Sequence, residues 1–282
     1  MVETSSEALS TLAHRCWRTL DTIHVPVYFV PETTAAYAEL GIRPRVGYFV
    51  SRSAAMGAVS PEVTIATFYV FSPDLVRHVM RGCWELASPE QVQQARRHGV
   101  GQALHRALGD PDVTEAVELA RELCEGFEPH GRALYAAHAA LPWPDEPLLA
   151  LWHAATLVRE HRGDAHMAAL LLSGLDPVES LITDGIASGR TAFFRQTRGW
   201  SEEEWAAGEQ RLRERGILAA DGTVTDVGQR RREHIEQRTA HATEPAWRRF
   251  GVDRAARLLE LTRPLARTIA DGDLLPNSLT RR

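Results

Sequence analysis

A short device recurs along this chain: a serine or aspartate, then proline, and usually an acid just after. It stands at Ser60-Pro61-Glu62, Ser72-Pro73-Asp74, Ser88-Pro89-Glu90, Asp110-Pro111-Asp112 and Asp176-Pro177. The side-chain oxygen can accept from the free amides of a first helical turn. Proline at the first position gives up an N–H that would have no partner there, and the acid complements the helix dipole. Five such starts predict a mainly α-helical fold. Apolar spacing agrees: Leu9, Leu12, Cys16, Leu20 and Ile23 follow a 3.6-residue period, as do Leu104 and Leu108, then Val113, Val117, Ala120 and Leu123. The β-branched and aromatic runs at Val46–Val50 and Thr64–Phe71 read as short strands or buried helices. Clear strand signals fall only near Ile217 and Val224.

Composition sets the remaining bounds. A hydrophobic content of 44% with 24% charged residues is that of a globular chain with a real core. No apolar run approaches the roughly 20 residues a bilayer crossing requires, and "MVETSSEALSTLAHRCW" has no leader-like apolar stretch. The expectation is a cytoplasmic protein with no membrane partner. Cys16, Cys83 and Cys124 are far apart without a CxxC spacing, which argues against a disulfide framework or a thiolate zinc site. The net charge of −5 gives no general basic footprint for nucleic acid.

Pro142, Pro144 and Pro147 in "AALPWPDEPLLALW" mark the best boundary, with a new helix beginning near Asp145. The expected organisation is a helical N-terminal region at 1–141, central helices at 142–175, a winged-helix module at 176–245, and a C-terminal helix and tail at 246–282.

In "SEEEWAAGEQRLRERGILAADGTVTDVGQRRREHIEQRT", Ser201 caps a helix that Gly216 ends. Ile217-Leu218 start a strand, Asp221-Gly222 makes a hairpin turn, and Val224-Thr225 return before a long helix. This stretch resembles the MarR-type winged-helix family in its order of Leu212, Gly216, Ile217, Leu218, Asp221-Gly222, Val224, Thr225 and Gly228. The whole chain looks like an uncharacterised actinobacterial family labelled helix-turn-helix. The resemblance implies that residues 201–215 form a recognition helix with a two-stranded wing behind it. Yet Glu202, Glu203 and Glu204 stand where such a helix meets phosphates, with Glu209 and Glu214 following, and the wing tip "AADGT" carries no arginine. Residues 176–240 hold twelve acids against ten arginines. DNA is therefore disfavoured as a partner, and the module reads as scaffold. Leu258, Leu259, Leu261, Leu265 and Ile269 on a helix over 253–270 would suit either a homodimer contact or packing on the chain's own core.

The chemistry-bearing residues cluster in "LVREHRGDAHMAALL". On a helix from "EPLLALWHAATLVREH", His153, Glu160 and Asp164 share one face, with His161 one step round and a helix end expected at Gly163. That face is either solvated or, because Trp152 and Leu157 widen the apolar surface, set in a cavity. His14, Trp17, Arg18, Asp21 and His24 form a second polar face on the N-terminal helix. If the two helices pack together, His14, His153, Glu160, His161 and Asp164 could share one pocket. His153, Glu160, His161, Asp164 and His166 make a donor set suited to Fe, Mn or Zn. His14, Trp17, Arg18, Asp21, His24, His153 and Arg159 make an acid/base or ligand-binding set. HExxH, GxSxG and P-loop signatures are absent. Three readings follow: a small-molecule-binding protein, including a metal-dependent or acid/base enzyme; a ligand-responsive MarR-type regulator; or an interaction protein with no pocket.

Overall fold

The computed structural model describes residues 2–276, with side chains from residue 8 onward; the last six residues of the expected C-terminal tail lie outside the described residues. The helices of the N-terminal half are α1 (Val2–His24), α2 (Pro31–Glu39), α3 (Pro44–Ser53), α4 (Pro61–Phe68), α5 (Pro73–Met80), α6 (Cys83–Leu86), α7 (Pro89–Leu108) and α8 (Thr114–Glu125). They continue with α9 (Ala133–Ala139), α10 (Pro147–Leu172), α11 (Pro177–Ser188), α12 (Thr191–Thr197), α13 (Glu202–Glu214), α14 (Asp226–Phe250) and α15 (Val252–Asp271). Four of the five proline starts open helices, namely α4, α5, α7 and α11, and Ser88 and Asp176 close full capping boxes with Gln91 and Glu179. At the fifth, α8 waits until Thr114, whose amide donates to Asp112.

Both ambiguous runs are mainly helical: Val46–Val50 lies in α3, and Thr64–Phe68 ends α4. The described residues contain no strand. Where a two-stranded wing is expected, Leu218 and Val224 form a single antiparallel bridge. The reason is local. Two backbone bonds flank that bridge, Ala219 N–H to the Thr223 carbonyl (2.9 Å) and Thr225 N–H to the Ile217 carbonyl (3.0 Å), and α14 begins at Asp226 directly after, so the pairing goes no further. The helix end expected at Gly163 is also absent, because α10 runs on to Leu172. Gly163 is not among the glycines of positive φ, so it sits there as an interior helical residue.

The chain divides into two compact units interleaved in sequence. The first comprises residues up to Val59, Gly82–Asp164 and those from Ala240 on; the second comprises Ser60–Arg81 and Ala165–Thr239. In the first unit, α1 lies along α15 and α2 along α7. Its core joins Cys16, Leu20 and Ile23 to Leu104, Leu123, Leu151, Leu258 and Ile269. Leu258 and Ile269 of the expected dimer helix thus pack within their own chain. Gly99 permits the contact of α7 with α2, since a Cβ there would lie 2.5 Å from the Thr33 Cα. The second unit builds its core from Leu175, Ile182, Trp205, Leu212 and Ile217.

Candidate functional site

The polar cluster of the first unit is built where α1 and α10 meet. Packing the apolar stripe of α1 into the core brings its C-terminal turn beside the middle of α10. The Trp152 indole N–H donates to the His24 carbonyl (3.2 Å), and Arg159 pairs with Asp21. The expected contact between these two helices therefore forms, but through Asp21, His24, Trp152, Thr156 and Arg159.

His24 is fully buried, with Nδ1 2.9 Å from the Thr156 hydroxyl and Nε2 3.0 Å from the Tyr28 hydroxyl. Thr156 spends its proton on the Trp152 carbonyl (3.1 Å), so it accepts from His24 Nδ1–H, and Nε2 in turn accepts from Tyr28. Burial, reinforced by the charges of Arg159 and Arg96, holds the ring well below the usual histidine range, and it stays neutral.

Glu160, also fully buried, takes both oxygens to one guanidinium. Arg52 of α3 donates through Nε to Oε1 (3.0 Å) and through Nη2 to Oε2 (2.6 Å), while its Nη1 donates to the Tyr48 hydroxyl (3.2 Å). Burial pushes the Glu160 carboxyl up, but the Arg52 charge and hydrogen bonds, with Arg159 behind them, outweigh it and hold the group at about 2. Arg52 and Arg159 are raised in turn despite desolvation, Arg52 chiefly by Glu160 and Arg159 chiefly by Asp21.

Arg96, on α7, is the third guanidinium and is fully buried. Its Nη1 donates to the Ser51 carbonyl (2.9 Å), and the group lies over the rings of Trp152 (5.3 Å) and Tyr28 (5.7 Å). Its Nε and Nη2 have no partner, and neither does Nε2 of buried His138 or His153. Burial, then the Arg96 charge, lowers His138 to about 3 and His153 to about 4. Of the three guanidiniums, Arg52 and Arg159 each face an acid, Glu160 and Asp21, and Arg96 faces none, with neutral histidines around them.

The other predicted residues make their contacts elsewhere, although Asp164 is near enough to Glu160 and Arg52 to feel both charges. His14 and Arg18 are exposed. Trp17 lies under the Arg162 guanidinium (3.9 Å) with the His14 ring beside it (5.3 Å). His161 stacks on Phe127 (4.1 Å) and meets the edge of Tyr135 (5.0 Å), and burial lowers it to about 3. Asp164 accepts from the Tyr135 amide (2.9 Å) at the start of α9, and burial pushes it up to about 6. His166 belongs to the second unit and lies 3.1 Å from the Thr239 hydroxyl. Among the described residues, no three His, Cys, Asp or Glu side chains are placed to hold a metal ion. The expected donor set is dispersed because one helix cannot turn His153, Glu160, His161 and Asp164 to a single point, and the Glu160 oxygens already belong to Arg52.

Sequence reasoning missed Tyr28, Arg52, Arg96 and His138. One signal was available for Arg96: it interrupts the buried stripe of Val92, Gly99, Val100 and Ala103 on α7. For Arg52 the hint is weaker, an arginine one turn beyond Tyr48 at the end of an apolar helix.

In the second unit, the arginines at the C-terminal end of α13 pair with acids of the same unit while staying partly or largely exposed. Arg211 donates to Asp176 (2.5 Å) and Glu179 (3.3 Å), Arg215 to Glu179 (2.6 Å) and Arg213 to Glu209 (3.1 Å). Arg195 of α12 pairs with Glu202 and Glu209. With this geometry in view, the comparison with known proteins is direct: a model of the helix-turn-helix family matches residues 13–276. The chain belongs to the helix-turn-helix family. No curated protein and no solved structure matches it. No described helix of this family member is long and apolar enough to cross a membrane.

Proposed function

We infer that this helix-turn-helix family member is a small-molecule-binding protein whose ligand is taken at the buried polar cluster of its first unit. The observation that carries the reading is the convergence of fully buried His24, Arg96 and Glu160 with part-buried Tyr28, Arg52 and Arg159 beside an otherwise apolar core. Burying ionisable groups costs several kcal/mol each unless they are paired or liganded, on the order given by desolvation, and such groups concentrate where proteins recognise something. The test is a thermal-shift screen of a chemically broad library against the parent and an Arg52→Met/Glu160→Met double variant. That variant removes the ion pair without leaving a lone charge. Compounds that stabilise the parent and not the variant support the reading; a library that treats both proteins alike sinks it.

A second reading, a ligand-responsive regulator of MarR type, is favoured by family membership and by the succession of capped α13, turn and long α14. Against it stand the three glutamates of the first turn of α13 and the engagement of Arg211, Arg213 and Arg215 with acids of the same unit. A homodimer through α15 would then use its partly buried Leu261 and Leu265. Fluorescence anisotropy with duplex DNA decides between the readings. A regulator binds and loses affinity steeply between about 50 and 200 mM salt, whereas a scaffold shows no binding at either.

A further inference from the structure

Arginine in this protein repeatedly holds carboxylates along one edge, the side presented by Nε and Nη2. Arg52 grips Glu160 that way, as do Arg77 with Glu62 and Arg257 with Glu115. The fork geometry explains the preference, because two parallel N–H groups match the two oxygens of a carboxylate. Arg96 presents the same edge deep in the first unit without any acid on it. The rings of Trp152 and Tyr28 lie beside it (5.3 and 5.7 Å from Cζ to centroid) and its Nη1 is engaged by the Ser51 carbonyl, so the Nε/Nη2 side is the one left without a partner. Both local acids are committed elsewhere, Glu160 to Arg52 and Asp21 to Arg159. A buried guanidinium with two unmet donors and no counter-charge is among the costliest arrangements a core can hold.

We propose that Arg96 anchors a small organic monocarboxylate, gripped through Nε and Nη2, with Nε2 of His138 and of His153 as its neighbouring polar contacts. The proposal rests on reading the first unit as a ligand-binding unit and names the ligand class for it. Two observations set the class. Of the three guanidiniums Arg96 is the one with no acid on its fork, so a single negative charge matches it. The unmet donors are a planar pair, which suits a carboxylate better than a tetrahedral dianion. His138 and His153 stay uncharged beside Arg96, so they add hydrogen-bonding capacity without a further call for negative charge.

The test is thermal melting of the full chain at constant ionic strength with sodium acetate, sodium benzoate, inorganic phosphate, benzamide or sodium chloride. The expected result is a saturable rise in Tm with a carboxylate and none with benzamide or chloride. Arg96→Met loses that response by at least tenfold in apparent affinity. Arg96→Lys, which keeps the charge but not the fork, weakens it. With no additive, Arg96→Met melts at or above the parent, since the Ser51 carbonyl still accepts from Gln93 (3.2 Å) and an unbalanced charge has been removed. A carboxylate response that survives in Arg96→Met, or a rise with phosphate alone, overturns the assignment. An equal rise with benzamide and benzoate also overturns it and leaves the broader ligand-binding reading standing. No response to any probe, together with a destabilised Arg96→Met, counts against both.

Discussion

Lowering the pH from 7 to 5 should destabilise the first unit severely, and the size of the loss follows from its buried histidines. In the unfolded chain each titrates near its ordinary value of about 6.5. In the folded protein burial holds His138 at about 3, His153 at about 4 and His161 at about 3, while His24 is lowered well below its usual range. Between those limits the unfolded chain binds protons that the folded chain does not, so stability is present above about pH 6.5 and drains away as pH falls. His138, His153 and His161 each cost about 2 kcal/mol at pH 5 relative to pH 7, or about 6 together, and His24 adds a loss in the same direction. Asp164, pushed up to about 6, works the other way: it is protonated when folded and ionised when unfolded at pH 5, which returns about 1 kcal/mol. Glu160, held at about 2, adds to the loss only below about pH 4.5. The net loss of about 5 kcal/mol, before any contribution of His24, is comparable to the whole stability of a marginal domain, about 5–15 kcal/mol. Guanidinium unfolding followed by circular dichroism at the two pH values measures it. A His161→Phe variant is the control, because a phenyl ring fits the stack on Phe127 and cannot titrate. It should recover about 2 kcal/mol of the acid loss. A parent that loses less than about 2 kcal/mol, or a variant whose acid loss matches the parent's, would refute the claim that these rings are buried and neutral.

Other perturbations test other parts of the structure. Glu160→Gln should cost about 3–5 kcal/mol in chemical denaturation, because it strands the Arg52 charge; a cost below about 1 would mean that water reaches the pair. Gly99→Ala should cost about 1–3 kcal/mol by pushing α7 off the backbone of α2, and a neutral result would contradict that close approach. The three cysteines are buried and burial raises each thiol, Cys16 to about 12 and Cys83 to about 11. The native protein should therefore react with a thiol reagent at pH 8 far more slowly than the unfolded chain, and fast native labelling would place at least one thiol at the surface.

The helices were legible because their signals are local. Ser88-Pro89 and Asp176-Pro177 carry a cap and a preset φ within two residues, and the stripe of Cys16, Leu20 and Ile23 needs only the period of one helix to be recognised. Family membership was visible for a related reason, since it is written along nearly the whole chain. The wing fell short of the expectation because α14 begins at Asp226, directly after Val224-Thr225, and the pairing stops at one bridge. The interleaving of two units is equally invisible locally, for it depends on Ser60–Arg81 joining Ala165–Thr239, which begins 84 positions after Arg81.

The candidate site divides along the same line. His24, His153, Arg159 and Glu160 could be singled out from sequence, the last three because ionisable groups set among Trp152, Leu157 and Ala155 stand out on an apolar helix and His24 from the polar face of the N-terminal helix. Their partners could not. Glu160 finds Arg52 across 108 residues and Arg159 finds Asp21 across 138. Sequence by itself determined which helices form and which of their residues would be costly to bury. Only the tertiary structure decided which charges neutralise one another and which, in Arg96, is left over, because Coulomb energy depends on separation in space and a helix's own period says nothing about what packs against it.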